Sequence, residues 1–319
     1  MGQPSDSSAA AQPPWPRRAV SGQLAGRLSV LAAAFLWSSS GLFAKWPIFD
    51  VWPASTRGVS MAFWRALIAA LVLAPAVRQP RWQPGLIPLA VAFTLMSVTY
   101  LAAMAQTTAA NAIWLQSTCP WWVFLFSVIV FHEPIVKRDL VPLCFGVLGV
   151  GTILCFELQG QARVGVVCGL AAGVSYAGVV VLMRHLRDEN VFWLVSLNHG
   201  VAALAILPWM IVCAPLPSPP QFLALIGFGV LQMAIPYVLL IRGLRSISSQ
   251  EAVAIGMLEP VLNPLWAFLI RGEVPAPWTF AGAGLILLGL ATRYIVWELW
   301  QTRCVAHSGS TPVNRDLPG

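Results

Sequence analysis

Two stretches of the chain, one in each half, share the same landmarks and decide the fold. They read AANAIWLQSTCPWWVFLFSVIVFHE at residues 109–133 and SQEAVAIGMLEPVLNPLWAFLIRGE at residues 249–273. In each stretch a proline lies 13 residues before the final glutamate. A glycine lies 16 residues after that glutamate, beyond the end of the stretch, in both copies. The landmarks are Pro120, Glu133 and Gly149, and then Pro260, Glu273 and Gly289. A repeat of this length predicts two copies of one structural unit.

The segments before these stretches also correspond between the two halves. The triplet LAA occurs at residues 31–33 and again at 170–172, and Tyr100 is matched by Tyr237 at nearly the same offset. The segments keep the same order in both halves. We therefore predict two repeats, at residues 27–157 and 158–297, with a disordered cytoplasmic tail at residues 1–26 and a cytoplasmic tail at residues 298–319.

The composition requires a membrane. Apolar residues make up 58% of the 319 residues and charged residues only 10%, whereas soluble domains carry about 25% charged residues. The apolar runs are continuous, which is typical of membrane-spanning helices. We predict an all-α integral membrane protein with ten transmembrane helices, two inverted repeats of five. The spans lie near residues 27–47, 59–77, 84–104, 109–131, 138–157, 163–183, 191–213, 220–241, 252–271 and 277–297.

Basic residues set the predicted orientation in the inner membrane. With a cytoplasmic N-terminus, 14 lysines and arginines fall in inner segments and only Lys45, Arg57, Arg163 and Arg271 fall outside. The positive-inside rule therefore places both termini in the cytoplasm. The net charge of +7 arises from scattered residues, not from a basic patch with interleaved aromatics. This pattern predicts a lipid bilayer, and not nucleic acid, as the partner.

An odd number of spans in each repeat has a mechanistic consequence. The second copy must insert upside down relative to the first, which gives two nearly equivalent conformations open to opposite sides. Secondary transporters use this arrangement for alternating access. The sequence contains no G-x-x-x-x-G-K-[ST] motif for a nucleotide. We expect no cofactor, a small-molecule substrate, and facilitative, exchange or proton-coupled transport.

The chain resembles the EamA-type drug/metabolite transporters over about residues 27–297. The motifs are Ala-Ala-Asn-Ala at 109–112 with Pro120, and Glu259-Pro260 followed by Gly-Glu at 272–273. Where the family usually repeats Gly-Glu after the fourth helix, this chain has His132-Glu133. The resemblance implies transport of amino acids, other metabolites or drugs through a central cavity. Substrate identity, direction, coupling ion and oligomeric state stay open.

Ionisable residues inside predicted spans are the first site candidates. Glu259 lies near the middle of the ninth span, where a charged side chain should face the bundle interior, either in the cavity or in a helix–helix clamp. Pro120 and Pro260 are predicted helix breaks, since proline lacks the N–H that a helix needs. Arg65 faces the cavity or snorkels to the interface. His199 lines the cavity or packs with a hydrogen bond.

Other polar and aromatic residues are further candidates for the cavity lining. Gln116, Gln232 and Tyr237 line the cavity or form interhelical hydrogen bonds. Trp37 and Tyr176 correspond in the repeat and are placed to stack on a substrate, although aromatic rings also gather at membrane interfaces. Gly165, Gly169, Gly173 and Ala177 form a small-residue stripe that predicts close helix packing. Glu133 and Glu273 are expected to act as structural caps or loop contacts.

A membrane-embedded enzyme and a structural or receptor protein are the competing classes. His132-Glu133 begins an H-E-x-x-H zinc motif, but Val136 occupies the position of the second histidine. Ser175 with His199 lacks a nucleophile elbow and an orienting carboxylate. Five of the six cysteines lie in apolar runs without metal-binding spacing, so we predict neither a metal site nor a disulfide.

Overall fold

The computed structural model describes residues 17–129, 137–157, 162–186, 189–213, 216–244, 246–247, 255–256 and 258–292. Every regular element in these ranges is helical, because a helix satisfies its backbone N–H and C=O groups within one segment, as hydrocarbon requires. Six helical segments are long and apolar enough to cross a membrane: Gly22–Ala44, Ala54–Ala76, Leu86–Gln106, Arg163–Met183, Val191–Cys213 and Pro219–Leu240. Shorter apolar helices cover Cys144–Phe156 and Pro277–Gly289. The count of ten spans stays a prediction.

The helices follow the order of the predicted spans. In the first half they are α1 Arg17–Ser38, α2 Ser40–Ala44, α3 Ala54–Leu73, α4 Leu86–Gln106, α5 Ala109–Gln116, α6 Cys119–Ile129 and α7 Lys137–Glu157. In the second half they are α8 Arg163–His185, α9 Val191–Cys213, α10 Pro219–Gly229, α11 Ile235–Leu244, α12 Leu258–Arg271 and α13 Pro277–Ala291. A π-helical segment, Val230–Ala234, joins α10 to α11. Short 3₁₀ turns occupy Pro47–Phe49 and Ala74–Ala76.

Two predicted spans are interrupted, and hydroxyl groups satisfy the backbone at each interruption. The first span divides at Ser39, whose Oγ donates to the carbonyl of Leu36 at 2.6 Å. The fourth divides between α5 and α6, just before Pro120, and Thr118 Oγ1 donates to the carbonyl of Leu115 at 2.6 Å. Such side-chain hydrogen bonds make irregular backbone tolerable inside a membrane protein.

Helix packing between the halves is symmetric. Helix α1 packs on α11, which pairs the first span with the eighth, and α8 packs on α4, which pairs the sixth with the third. Exchanging the two halves converts one of these pairs into the other. The pairs α3 with α9 and α7 with α13 each join corresponding spans of the two halves. The packing therefore follows the order of the sequence repeat.

The small-residue stripe on α8 packs as predicted. A Cβ atom on Gly173 would lie 2.4 Å from Thr118 Oγ1, and one on Gly169 would lie 2.9 Å from the side chain of Leu115. Ala177, further along the stripe, is completely buried. Larger side chains at these positions would push α8 away from α5 and α6, so the packing interpretation of the stripe is confirmed.

The outward faces of several helices are strongly apolar. Leu204, Ile211, Val212 and Leu223 are 68% or more exposed in the isolated chain. Soluble proteins rarely leave such contiguous apolar surface in water. These faces suit contact with lipid, in agreement with a multi-pass membrane protein.

Candidate substrate-binding site

Arg65 is a charged side chain buried within the helical bundle. It lies on α3 with 1% of its surface exposed. Its guanidinium donates to Gln232 Oε1 at 3.0 Å and to Ser97 Oγ at 2.8 Å, and its Cζ lies 5.3 Å from the centre of the Phe228 ring. The side chain therefore points into the bundle and does not snorkel to the membrane interface.

The π-helical segment places the partner of Arg65. Gln232 lies within Val230–Ala234 and is itself buried. A π turn inserts an extra residue into a helix and often occurs at functional sites. Here it interrupts the eighth predicted span where that span faces α3. The structure thus brings together two predicted site residues that lie 167 positions apart in the chain.

Glu259 lies on α12, close to Arg65 and to three tyrosines. Its carboxylate interacts electrostatically with Arg65, Tyr100, Tyr176 and Tyr237. The side chain is half-buried. It makes neither a hydrogen bond nor an ion pair with the residues that the structure describes. A carboxylate in this position is available to a bound solute or to a proton.

A hydrogen-bonded cluster of Ser40, Tyr100 and Asn263 lies beside this carboxylate. The Ser40 and Tyr100 hydroxyl oxygens are 2.8 Å apart, and Asn263 Nδ2 donates to both, at 2.7 and 3.0 Å. All three side chains are buried. They join α2, α4 and α12 directly after the interruption at Ser39. Neither Ser40 nor Asn263 is among the predicted site residues.

Aromatic rings line the same region from both halves. The Trp37 and Tyr237 rings meet edge to face with centroids 5.4 Å apart, and the His199 ring lies 6.0 Å from Tyr237 and 4.6 Å from Phe93. Tyr176 is 39% exposed in the isolated chain. These contacts make Tyr237 the link between Trp37 and His199, so the three predicted residues form one group.

His199 and its neighbour Asn198 hold unpaired polar atoms in the interior. His199 Nδ1 donates to the Val195 carbonyl at 2.8 Å, since a carbonyl oxygen only accepts. Its Nε2 is then an acceptor, and within the described ranges it has no partner. Both amide atoms of Asn198 are likewise without a partner there. Unpaired buried polar atoms are costly unless water or a ligand satisfies them.

Gln116 and the two prolines are the remaining predicted site residues. Gln116 ends α5 and is half-buried, and its side chain makes no hydrogen bond with the described residues. Pro120 is the second residue of α6, and Pro260 is the third residue of α12 and is buried. The predicted cap Glu273 is confirmed, because its carboxylate accepts from the Ala109 N–H at the start of α5. Glu133 lies outside the described residues.

Metal-binding groups are not assembled in the described part of the chain. No three His, Cys, Asp or Glu side chains lie there in positions that would hold a metal ion. The five cysteines in that part, Cys119, Cys144, Cys155, Cys168 and Cys213, are free thiols. The chemistry of the site thus rests on Arg65, Glu259 and the polar and aromatic groups around them.

Known proteins share both the sequence and the fold. The profile of the EamA-like transporter family matches residues 24–155 and again residues 163–294. An uncharacterised transporter from Archaeoglobus fulgidus is 28% identical over 243 residues, covering 75% of this chain and 87% of that protein. The pseudopaline exporter of Pseudomonas aeruginosa is 27% identical over 243 residues, covering 74% and 85%. A solved crystal structure with 18% identity has a TM-score of 0.58 and covers 92% of this chain and 99% of its own, which shows the fold.

The fold and these relatives define a multi-pass membrane transporter. The chain belongs to the EamA-like transporter family, with one family unit in each half. At the level of the family, relatives named as transporters favour transport over membrane-embedded catalysis.

Proposed function

We propose that this protein is a secondary transporter that moves a small cationic or zwitterionic solute across the membrane by alternating access. The solute would bind between the two halves of the chain. The observation that carries the proposal is the carboxylate of Glu259, which lies within electrostatic range of buried Arg65 and has no hydrogen-bonding partner among the described residues. An ionisable residue inside a membrane protein is costly to insert, and it commonly marks the path of a solute or a proton.

The Arg65 guanidinium is suited to the negative group of a zwitterion. A guanidinium has five N–H donors in a fixed plane. The two terminal nitrogens of Arg65 each donate one hydrogen bond, to Gln232 and to Ser97. Its other N–H groups make no hydrogen bond with the described residues. A solute carboxylate at these donors would leave its ammonium group facing Glu259. The aromatic group of Trp37, Tyr237 and His199 would then contact the solute's apolar part.

Alternating access is supported by matched contacts at the two ends of the bundle. Gln83 Nε2 donates to Glu189, and in the second half Gln221 Nε2 donates to the Ile48 carbonyl at 2.9 Å. Each glutamine lies near the start of a helix and reaches the first interhelical connection of the opposite half. Equivalent contacts made by both halves are the arrangement that an inverted repeat produces.

The energy source would be a gradient, because the sequence lacks a nucleotide-binding loop. Glu259 is the candidate proton site, since its environment changes as the cavity opens and closes. The relative named as a pseudopaline exporter suggests export as the direction to test first.

Reconstitution tests the proposed function. Purified protein in liposomes should give saturable uptake of labelled amino acids or organic cations, and neutral nucleosides should be poor substrates because they offer no charge to Glu259. Protein-free liposomes provide the background. Uptake at background level for all charged solutes, or a preference for neutral ones, would contradict the proposal.

The predicted topology has a separate test. With 14 of the loop lysines and arginines on one side, both termini should be cytoplasmic. A C-terminal green fluorescent protein fusion should therefore fluoresce and a C-terminal alkaline phosphatase fusion should be inactive. An active phosphatase fusion would show the C-terminus outside and an odd number of spans or a reversed orientation.

A further inference from the structure

A polar network joins the two halves at the bundle end that holds the carboxyl ends of α2 and α12. Lys45 follows α2, and its Nζ lies 3.0 Å from Glu273 Oε2 and donates to the Thr107 carbonyl at 2.7 Å. The other carboxylate oxygen of Glu273 accepts from the Ala109 N–H. Lys45 belongs to the first half and Glu273 to the second, so their ion pair crosses between the halves.

A second set of contacts surrounds this ion pair. Arg271, the last residue of α12, donates to the Lys45 carbonyl at 2.7 Å and pairs with Asp50. Asp50 also pairs with Arg57 at 3.0 Å. These contacts tie the end of α12 to the connection between α2 and α3. Together they hold the ends of three helices in one place.

The network lies between the candidate site and the predicted outer surface. Arg271 follows Glu259 on the same helix and lies about 18 Å further along its axis, at about 1.5 Å per residue. Lys45 follows Ser40 in the chain, beyond the cluster with Tyr100 and Asn263. Helices α2 and α12 are in contact at this end, and the network spans their junction.

We infer that the Lys45–Glu273 ion pair is an outer gate, which is closed in this structure and opens once in each transport cycle. The inference rests on the proposed alternating-access function. The side chains of Lys45 and Glu273 are only 15% and 18% exposed, and each has a second hydrogen bond that supports the contact. A partly hydrated ion pair is nevertheless weak enough to open when a solute stabilises the alternative state.

Two substitutions remove the ion pair with little other change. Glu273→Gln keeps an amide oxygen that accepts from Ala109, so the cap survives and only the charge is lost. Lys45→Met removes the cation and keeps the length of the side chain. Lys45→Arg retains the charge and is the conservative control. Glu189→Gln weakens an inter-half contact at the opposite end of the bundle, so it tests whether faster labelling is specific to the outer end.

The experiment measures how fast a cysteine at position 40 reacts with a reagent added from outside. This cysteine is introduced as Ser40→Cys after the six native cysteines are replaced with serine. A membrane-impermeant thiol reagent applied to right-side-out vesicles should label Glu273→Gln and Lys45→Met about fivefold or more faster than the parent. The double variant should label no faster than the faster single variant, because both remove the same contact. Lys45→Arg should label at the parent rate, and Glu189→Gln should label no faster than the parent because it weakens the opposite end.

Several results would contradict the proposal that the Lys45–Glu273 ion pair is an outer gate. Parental labelling of Glu273→Gln in a protein that transports would show that the pair does not close the outer path. Faster labelling of Glu189→Gln would indicate that the whole helical bundle has loosened. Faster labelling of Glu273→Gln together with a lowered melting temperature would indicate the same. Faster labelling of both gate variants with no transport by the wild-type protein would instead support the closure and count against the proposed transport function.

Discussion

Replacing Glu259 with glutamine is expected to abolish proton-dependent transport while leaving insertion and folding intact. Glutamine keeps the size and hydrogen-bonding capacity of the side chain but neither titrates nor attracts a cation. Truncating one member of a buried charge pair typically costs about 2–5 kcal/mol, so affinity for a cationic solute should fall at least about 30-fold. The remaining transport should no longer respond to an imposed pH gradient.

The measurement is initial uptake in liposomes at equal protein content, with and without a pH gradient. Glu189→Gln serves as a matched control because it removes a carboxylate that contacts Gln83, away from the site. Wild-type rates and pH dependence in Glu259→Gln would show that the residue is a helix–helix clamp. An unchanged melting temperature in detergent excludes misfolding as the cause of a loss.

The sequence predicts the helical fold well because membrane insertion depends on long apolar runs that can be read directly. Its limits are seen at Arg65. The helix around this residue is apolar on most of its circumference, so hydrophobic periodicity does not identify the face that points inward. The sequence therefore leaves both orientations open, and in the structure the side chain of Arg65 reaches Gln232 inside the bundle.

The cluster of Ser40, Tyr100 and Asn263 shows a second limit. Its members are separated by 60 to 223 positions, and only the packing of three helices brings them together. Two signals were present in the sequence. Three serines occur at residues 38–40 within an apolar span, and Asn263 follows Glu259 by one helical turn. Both signals place polar groups at membrane depth, but neither identifies their partners.

The Lys45–Glu273 pair shows a third limit, because each residue had a plausible local role. Lys45 counted as an outer basic residue and Glu273 as a helix cap. The structure gives Glu273 both the cap and the ion pair. Pairing across the halves depends on how the ends of α2 and α12 pack against each other, which neither repeat determines alone.

Arg65→Met is expected to abolish transport and to lower the melting temperature by several degrees. Methionine fills much of the same volume but donates no hydrogen bond. Gln232 Oε1 and Ser97 Oγ would lose their donor, and each unsatisfied buried group costs about 1–3 kcal/mol. Glu259 would also lose its nearby cation. Uptake in liposomes and thermal unfolding in detergent measure the two effects.

Two further variants separate charge from hydrogen bonding. Arg65→Lys keeps the charge but replaces a planar fork with a compact ammonium, so transport should fall although part of the stability returns. Adding Glu259→Gln to Arg65→Met should raise the melting temperature part of the way back to the wild-type value, because it removes the carboxylate left without its cation. The double variant should still not transport. If the double variant is no more stable than Arg65→Met, the charges of Arg65 and Glu259 do not interact in the folded protein. That result would remove the basis for a zwitterionic solute bound between them.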